Sequence, residues 1–164
     1  MKKIGILMGS ASDLPTVEKA METLKSLEIP FEVHVYSAHR TPDEARAFAR
    51  NARANGFGAI IAAAGMAAHL AGAVAANTTL PVVGIPCKSA SLDGIDALLS
   101  TVMMPPGIPV ATVGVNGAAN AALLCAEILA VTDEALAARL QAKRESDAER
   151  VLRADAEVAE KYNR

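Results

Sequence analysis

Apolar and polar positions change period repeatedly along the chain. The run "KIGILMG" is short, apolar and closed by Gly9, which predicts a buried strand. Val17, Ala20, Met21, Leu24 and Leu27 then recur at helical spacing as one buried stripe. Ser12 or Asp13 is the predicted cap of that helix, with Pro15 in its first turn. "IPFEVHVYS" alternates as a second strand, with Phe31, Val33 and Val35 on one face and His34 on the other. Thr41-Pro42-Asp43-Glu44 has the form of a capping box, opening a helix that runs to about residue 53 and stops near Gly56. "GAIIAAAG" is a third strand, followed by a helix from near Ala68. "LPVVGIP" and "IPVATVGV" read as the fourth and fifth strands, separated by the helix "LDGIDALLSTV", and "AANAALLCAEILA" as a buried helix.

Five short strands alternating with helices predict an α/β three-layer sandwich: a doubly wound, parallel, five-stranded sheet of flavodoxin-like order. The tail over 132–164 predicts a charged C-terminal helix with a thin seam of Leu136, Leu140, Val151, Val158 and Tyr162. It is either a solvated helix or a clasp on a neighbouring subunit. No repeat, low-complexity stretch or linker interrupts the chain, so one domain over 1–164 is expected, with its core at about 3–131.

Composition sharpens this picture in three ways. At 52% hydrophobic and 21% charged, the 164 residues suit a globular domain and not a disordered one. Aromatics make up only 3% and Trp is absent, so buried residues are small and each removes little apolar area from water. Subunit contacts are therefore expected to supply part of the stability. The net charge of −2, with no basic block, argues against a nucleic-acid partner. The N-terminus enters a strand without a signal-peptide core, and the apolar stretch 59–76 is broken by Gly65 and His69. No membrane span is expected, and a cytoplasmic location follows. Cys87 and Cys125 lie in apolar surroundings outside any Cys-x-x-Cys or Cys/His cluster, so buried thiols are expected and a metal site is not.

In such sheets ligands bind beyond the carboxyl ends of the strands. Three polar clusters fall there: "GSASD" at 9–13, "SAHR" at 37–40 and "AGMAAHL" at 64–70. "GSASD" matches neither a P-loop nor a dinucleotide fingerprint, yet a small-residue turn opening a helix favours an anion, and Ser10 and Ser12 add hydroxyls. Asp13 suits ribose hydroxyls better than a phosphate. The ordinary alternative is a simple N-cap. Arg40 at a helix mouth can fork onto phosphate or carboxylate, and His39 beside it can carry a proton near neutral pH. Side by side, and with "GSASD" at the adjacent strand end, these two outweigh a structural histidine and a surface arginine. His69 either reaches the same site or bonds a carbonyl at its helix start, while His34 reads as structural. Residues 116–120, "NGAAN", either reach a ligand or cap the last helix. Lys88, Ser89 and Ser91 are candidates for a lid or for part of a neighbour's site. No nucleophile triad emerges.

The stretches "MGSASDLPT", "SAHRTP", "AAHLAG", "TTLPVVGIP", "LDGIDALLSTVMMPPGIPVAT" and "ANAALLCAEILA" together resemble the class I branch of the AIR carboxylase family, over about residues 3–131. The resemblance implies a cofactor-free isomerase of purine biosynthesis. It would move a carboxyl group from the exocyclic nitrogen of N5-carboxyaminoimidazole ribonucleotide to ring carbon C4, through trapped carbon dioxide. It implies His39 as the acid/base and a ribotide site drawn from Ser10, Ser12, Asp13, Ser37, Ala38, Arg40, Gly65, His69 and Leu70, in a homo-octamer. Met66 stands where the family usually has a second glycine, Ala71 where it has a proline, and Met103 where glutamine is common. Class II relatives, which use free carbon dioxide, carry "SAHKT" and lack "AAHL", so Arg40 and His69 favour class I. The alternatives are a class II carboxylase and a non-enzymatic ribotide- or flavin-phosphate-binding domain.

Overall fold

The computed structural model describes residues 1–163 and contains one five-stranded sheet covered by helices. The strands are β1 (Lys3–Met8), β2 (Phe31–Val35), β3 (Phe57–Ala64), β4 (Val82–Pro86) and β5 (Ala111–Thr112). The helices are α1 (Leu14–Ser26), α2 (Pro42–Asn51), α3 (Leu70–Ala75), α4 (Ile95–Val102), α5 (Ala118–Ala130) and α6 (Glu134–Tyr162). The strand order is β2-β1-β3-β4-β5 and every neighbouring pair is parallel, which is the flavodoxin-like order expected.

Alternation along β1 divides the core. Ile4, Ile6 and Met8 face a layer containing α1 and α5, while Leu7 faces α2 and α3. Ala45, Ala49 and Ala52 on one side and Ala118, Ala121, Ala122 and Ala126 on the other give the helices a flat surface against the sheet. Gly84 in β4 shows how close the layers come. A Cβ there would sit 2.4 Å from Thr101 Cγ2 and 3.0 Å from Val110 Cγ1.

The structure refines several local expectations. β2 alternates as expected but is the sheet edge, so Phe31 and Val33 pack against the core while Val35 at its end is exposed. The fifth strand is paired only at Ala111 and Thr112, because Pro105, Pro106 and Pro109 lack the ladder donor and hold the approach irregular. Beyond it, Val113 N–H still donates to Gly84 O (3.2 Å) and Asn116 N–H to Pro86 O (2.9 Å). Asp13 stands at the N-cap of α1 with Pro15 in the first turn, as expected, but makes no side-chain cap bond there; Ser10 caps the 3-10 turn that precedes it. Thr41 stands at the N-cap of α2 but makes no cap bond, so the capping box suggested by the sequence does not form.

α6 is docked at one end only. Asp133 accepts the Leu136 N–H (3.0 Å), and Leu136 and Leu140 are buried. Val151, Leu152, Val158 and Tyr162, farther along, are each more than half exposed. Cys87 and Cys125 are free, buried thiols, each pushed up to about 12 mainly by desolvation. Among the described residues no helix is long and apolar enough to cross a membrane.

Candidate active site

β1, β2 and β3 end side by side, and the loops that leave them, 9–13, 37–40 and 64–67, enclose a cleft of about 400 Å³. Each loop has a definite cause.

Ser10 leaves β1 extended (φ −151, ψ 151), the conformation of an N-cap, and a single 3-10 turn over Ala11–Asp13 follows. Ser10 Oγ accepts from Ser12 N–H (3.3 Å) and from Ser12 Oγ (2.9 Å). Asp13 turns back and its Oδ2 accepts the Ser10 N–H (3.2 Å). That N–H is therefore spent on a carboxylate and not on a bound anion. Desolvation is the largest influence on Asp13 and raises its pKa, opposed by the Ser10 N–H and the Cys87 side chain.

The second loop is folded around Ser37. Its Oγ accepts the N–H of His39 (3.3 Å) and of Arg40 (3.2 Å), and its own N–H donates to Thr41 Oγ1 (2.8 Å). Thr41 N–H closes the turn on Ser37 O (2.9 Å). The Thr41 hydroxyl is thereby consumed inside the turn, which is why it does not cap α2. Ser37 itself is buried and shapes the loop that presents His39 and Arg40. The Arg40 guanidinium donates to Gly9 O (3.1 Å), fastening the second loop to the first. One of its five donors is used there.

The third loop carries backbone strain. Ala67 has φ 56, a left-handed conformation uncommon for a residue with a Cβ, and its carbonyl accepts the His69 N–H (2.8 Å). His69 occupies the N-cap of α3 but makes no side-chain cap bond. Its ring goes elsewhere: His69 Nδ1 lies 2.8 Å from His39 Nε2, with the rings edge-to-face at 76°. One nitrogen must donate and the other accept, so the contact holds one proton. The carbonyl-bonded histidine weighed from sequence is not what forms.

Of the ten residues proposed from sequence, nine line the cleft, and His69 joins it through His39. Leu70 is buried and offers only wall. Several other candidates lie apart. Asn116 Oδ1 accepts the Lys88 N–H (2.9 Å), tying the exits of β4 and β5. Lys88 pairs with Asp93 (2.7 Å), and Ser89 bonds Asp96 (3.0 Å). His34 stacks on Tyr36 with ring centroids 4.9 Å apart, a packing role. Sequence reading missed the neighbour of Asp13: the Cys87 thiol sits against its carboxyl. The only available signal was position, since Cys87 directly follows β4. Among the described residues no group of three or more His, Cys, Asp or Glu side chains is arranged to hold a metal ion.

The AIR carboxylase family model matches residues 3–150. The chain belongs to this family. The match extends past the end of α5 and well into α6. An N5-carboxyaminoimidazole ribonucleotide mutase from Haemophilus influenzae is 53% identical over 152 residues, covering 92% of this chain and 93% of that protein. One of the same name from Pyrococcus abyssi is 52% identical over 145 residues, covering 88% and 83%. The crystal structure of Treponema denticola PurE superposes with a TM-score of 0.86 at 31% identity, over 94% of this chain and 96% of that one. The three departures from the family pattern fall in different settings. Met66 lies at the cleft mouth, 73% exposed. Ala71 is buried in the first turn of α3, and Met103 is exposed just after α4.

Proposed function

We propose that this AIR carboxylase family member is a cytoplasmic isomerase of purine biosynthesis. It converts N5-carboxyaminoimidazole ribonucleotide to 4-carboxy-5-aminoimidazole ribonucleotide. The observation that carries this reading is the His39–His69 contact at the rim of the cleft where Ser10, Asp13 and Arg40 converge.

In this reading the ribotide phosphate lies against the 9–13 turn and Arg40, and Asp13 takes ribose hydroxyls. His39 begins as the acid. As the bond between the exocyclic nitrogen and the carboxyl carbon breaks, that nitrogen receives the His39 proton and carbon dioxide is released into the cleft. Ring carbon C4, made electron-rich by the amino group, attacks the carbon dioxide and a carbon–carbon bond forms. Neutral His39 then removes the C4 proton, restoring both the aromatic ring and its own starting state. Atoms and electrons balance without an external oxidant or reductant. His69 is a positioning residue: its Nδ1 holds His39 Nε2 and so fixes the orientation of the His39 ring. Ala38, Ala64, Gly65 and Ala67 give the cleft small walls, which leave little room for the carbon dioxide to depart once a ribotide fills the opening.

His39→Asn tests the assignment. Turnover is expected to fall by roughly 10²–10⁴-fold while ribotide still binds. Undiminished turnover in that variant would falsify the acid/base role.

Assembly as a homo-octamer belongs to the same proposal. Ile95, Leu99 and Val102 recur at helical spacing on α4 and are each about half exposed, and the outer half of α6 carries a similar uncovered set. Such surfaces suit contact with further copies of the chain. The domain boundary is proposed to enclose 1–164, with α6 as an extension of the core.

A further inference from the structure

A cavity larger than the active cleft lies at the opposite end of the sheet from His39 and His69. It encloses about 940 Å³, more than twice the active cleft, where α2 and α3 end and β4 and β5 begin. That size falls within the roughly 300–1,000 Å³ usual for small-molecule sites.

Its walls are of two kinds. Leu80, Pro81, Val82, Ile108 and Pro109 form an apolar side. Gly107, at φ +96 with nothing within 4 Å of where a Cβ would be, leaves that side open. The other side is cationic. Arg50 Nε donates to Asn77 Oδ1 (3.2 Å), and an Arg53 guanidinium nitrogen donates to Thr79 Oγ1 (3.0 Å). Both partners are neutral, so they orient the guanidiniums without discharging them. Among the described residues neither arginine forms an ion pair, and no carboxylate lines the cavity. Arg46, one turn earlier and away from the cavity, is paired with Asp43 (3.5 Å). Of the three arginines on this stretch, Arg46, Arg50 and Arg53, the two without an ion pair are the ones that line the cavity.

Arg50 and Arg53 line the same side of the cavity, and paired guanidiniums are suited to the oxygens of a phosphate. A phosphate alone would leave the apolar wall unfilled. The flat faces of Pro81 and Pro109 suit a planar ring. We propose that this cavity is a second ligand site, separate from the active cleft, for a small phosphate monoester with a planar apolar body, of the class of nucleoside monophosphates.

The test is calorimetric titration of the full chain with adenosine monophosphate. Arg40→Ala is used as background, so that the phosphate contact of the active cleft is removed. Saturable binding is expected to persist in that variant, and to weaken at least about tenfold when Arg50→Gln and Arg53→Gln are added. Adenosine, lacking the phosphate, is expected to bind correspondingly more weakly than the monophosphate. Absence of saturable binding in the Arg40→Ala protein overturns the proposal. So does an affinity unchanged by the two further substitutions, or equal binding of adenosine. Glutamine keeps helix propensity, and melting curves check the fold. Should the triple variant melt early, Arg50→Lys and Arg53→Lys replace it: the lost fork must weaken binding several-fold, and unchanged affinity overturns the proposal.

Discussion

Asp13 sits in the candidate site at a cost to the fold, and the sign of that cost is testable. Burial raises its folded pKa above the ordinary value of 3.8. A raised carboxyl favours the fold when protonated, so its contribution is complete below the unfolded pKa and is lost as pH climbs through the folded one. Once the carboxyl is ionised in the native protein, that contribution is gone. Asp13→Asn keeps an oxygen for the Ser10 N–H and carries no charge. It is therefore expected to melt at least as high as the parent at pH 7, with the difference closing as pH falls below the carboxylate range. Its turnover is expected to drop, because ribose hydroxyls lose an anionic partner. Thermal melts across pH settle the first point: a variant less stable at pH 7 and matched in acid would reverse the sign. His39 and Arg40 were legible in the sequence because their neighbours mark a strand exit and a helix mouth at once. The contact between His39 and His69 was not, since 30 residues and two changes of layer separate them. Nor was the task of the Ser37 hydroxyl, which spacing alone could not distinguish from a ligand contact.

Gly84 measures how tightly β4 is held between α4, Val110 and α3, where Ala71 Cβ would lie 3.2 Å from an added methyl. Thr101, its nearest neighbour, is buried and bonded to Ala97 O (2.7 Å), so it cannot swing away freely. Gly84→Ala is expected to lower stability by about 1–3 kcal/mol. The change should appear as a lower denaturant midpoint with an unchanged slope; an unshifted midpoint would mean that the layers yield. The helices and inner strands were legible because each carries one clean period, α5 to the residue. The edges were not. β2 and β5 have a neighbour on one side only, so one ends half exposed and the other is scarcely paired. The capping of α2 failed as a prediction because the same Thr41 hydroxyl had a nearer donor in Ser37. In α6 the seam is real for Leu136 and Leu140 and then runs on with nothing against it.

That uncovered seam, the α4 face and the small-residue core point the same way. A core in which alanine fills many of the buried positions gains less from its own interior and more from its neighbours. Sedimentation equilibrium is expected to return eight times the chain mass of 16.9 kDa, and a monomer at all concentrations would contradict the assembly. The order of the sheet brings the three loops of the cleft together at the switch point between β1 and β3, and the reaction proposed there keeps its carboxyl group within the cleft. Supplying the purified protein with N5-carboxyaminoimidazole ribonucleotide labelled in its carboxyl carbon, without added bicarbonate, addresses that most directly. A carboxyl group kept within the cleft gives 4-carboxy-5-aminoimidazole ribonucleotide that retains the label. Product formed only from the uncarboxylated ribotide and bicarbonate, or no product from either, would contradict it.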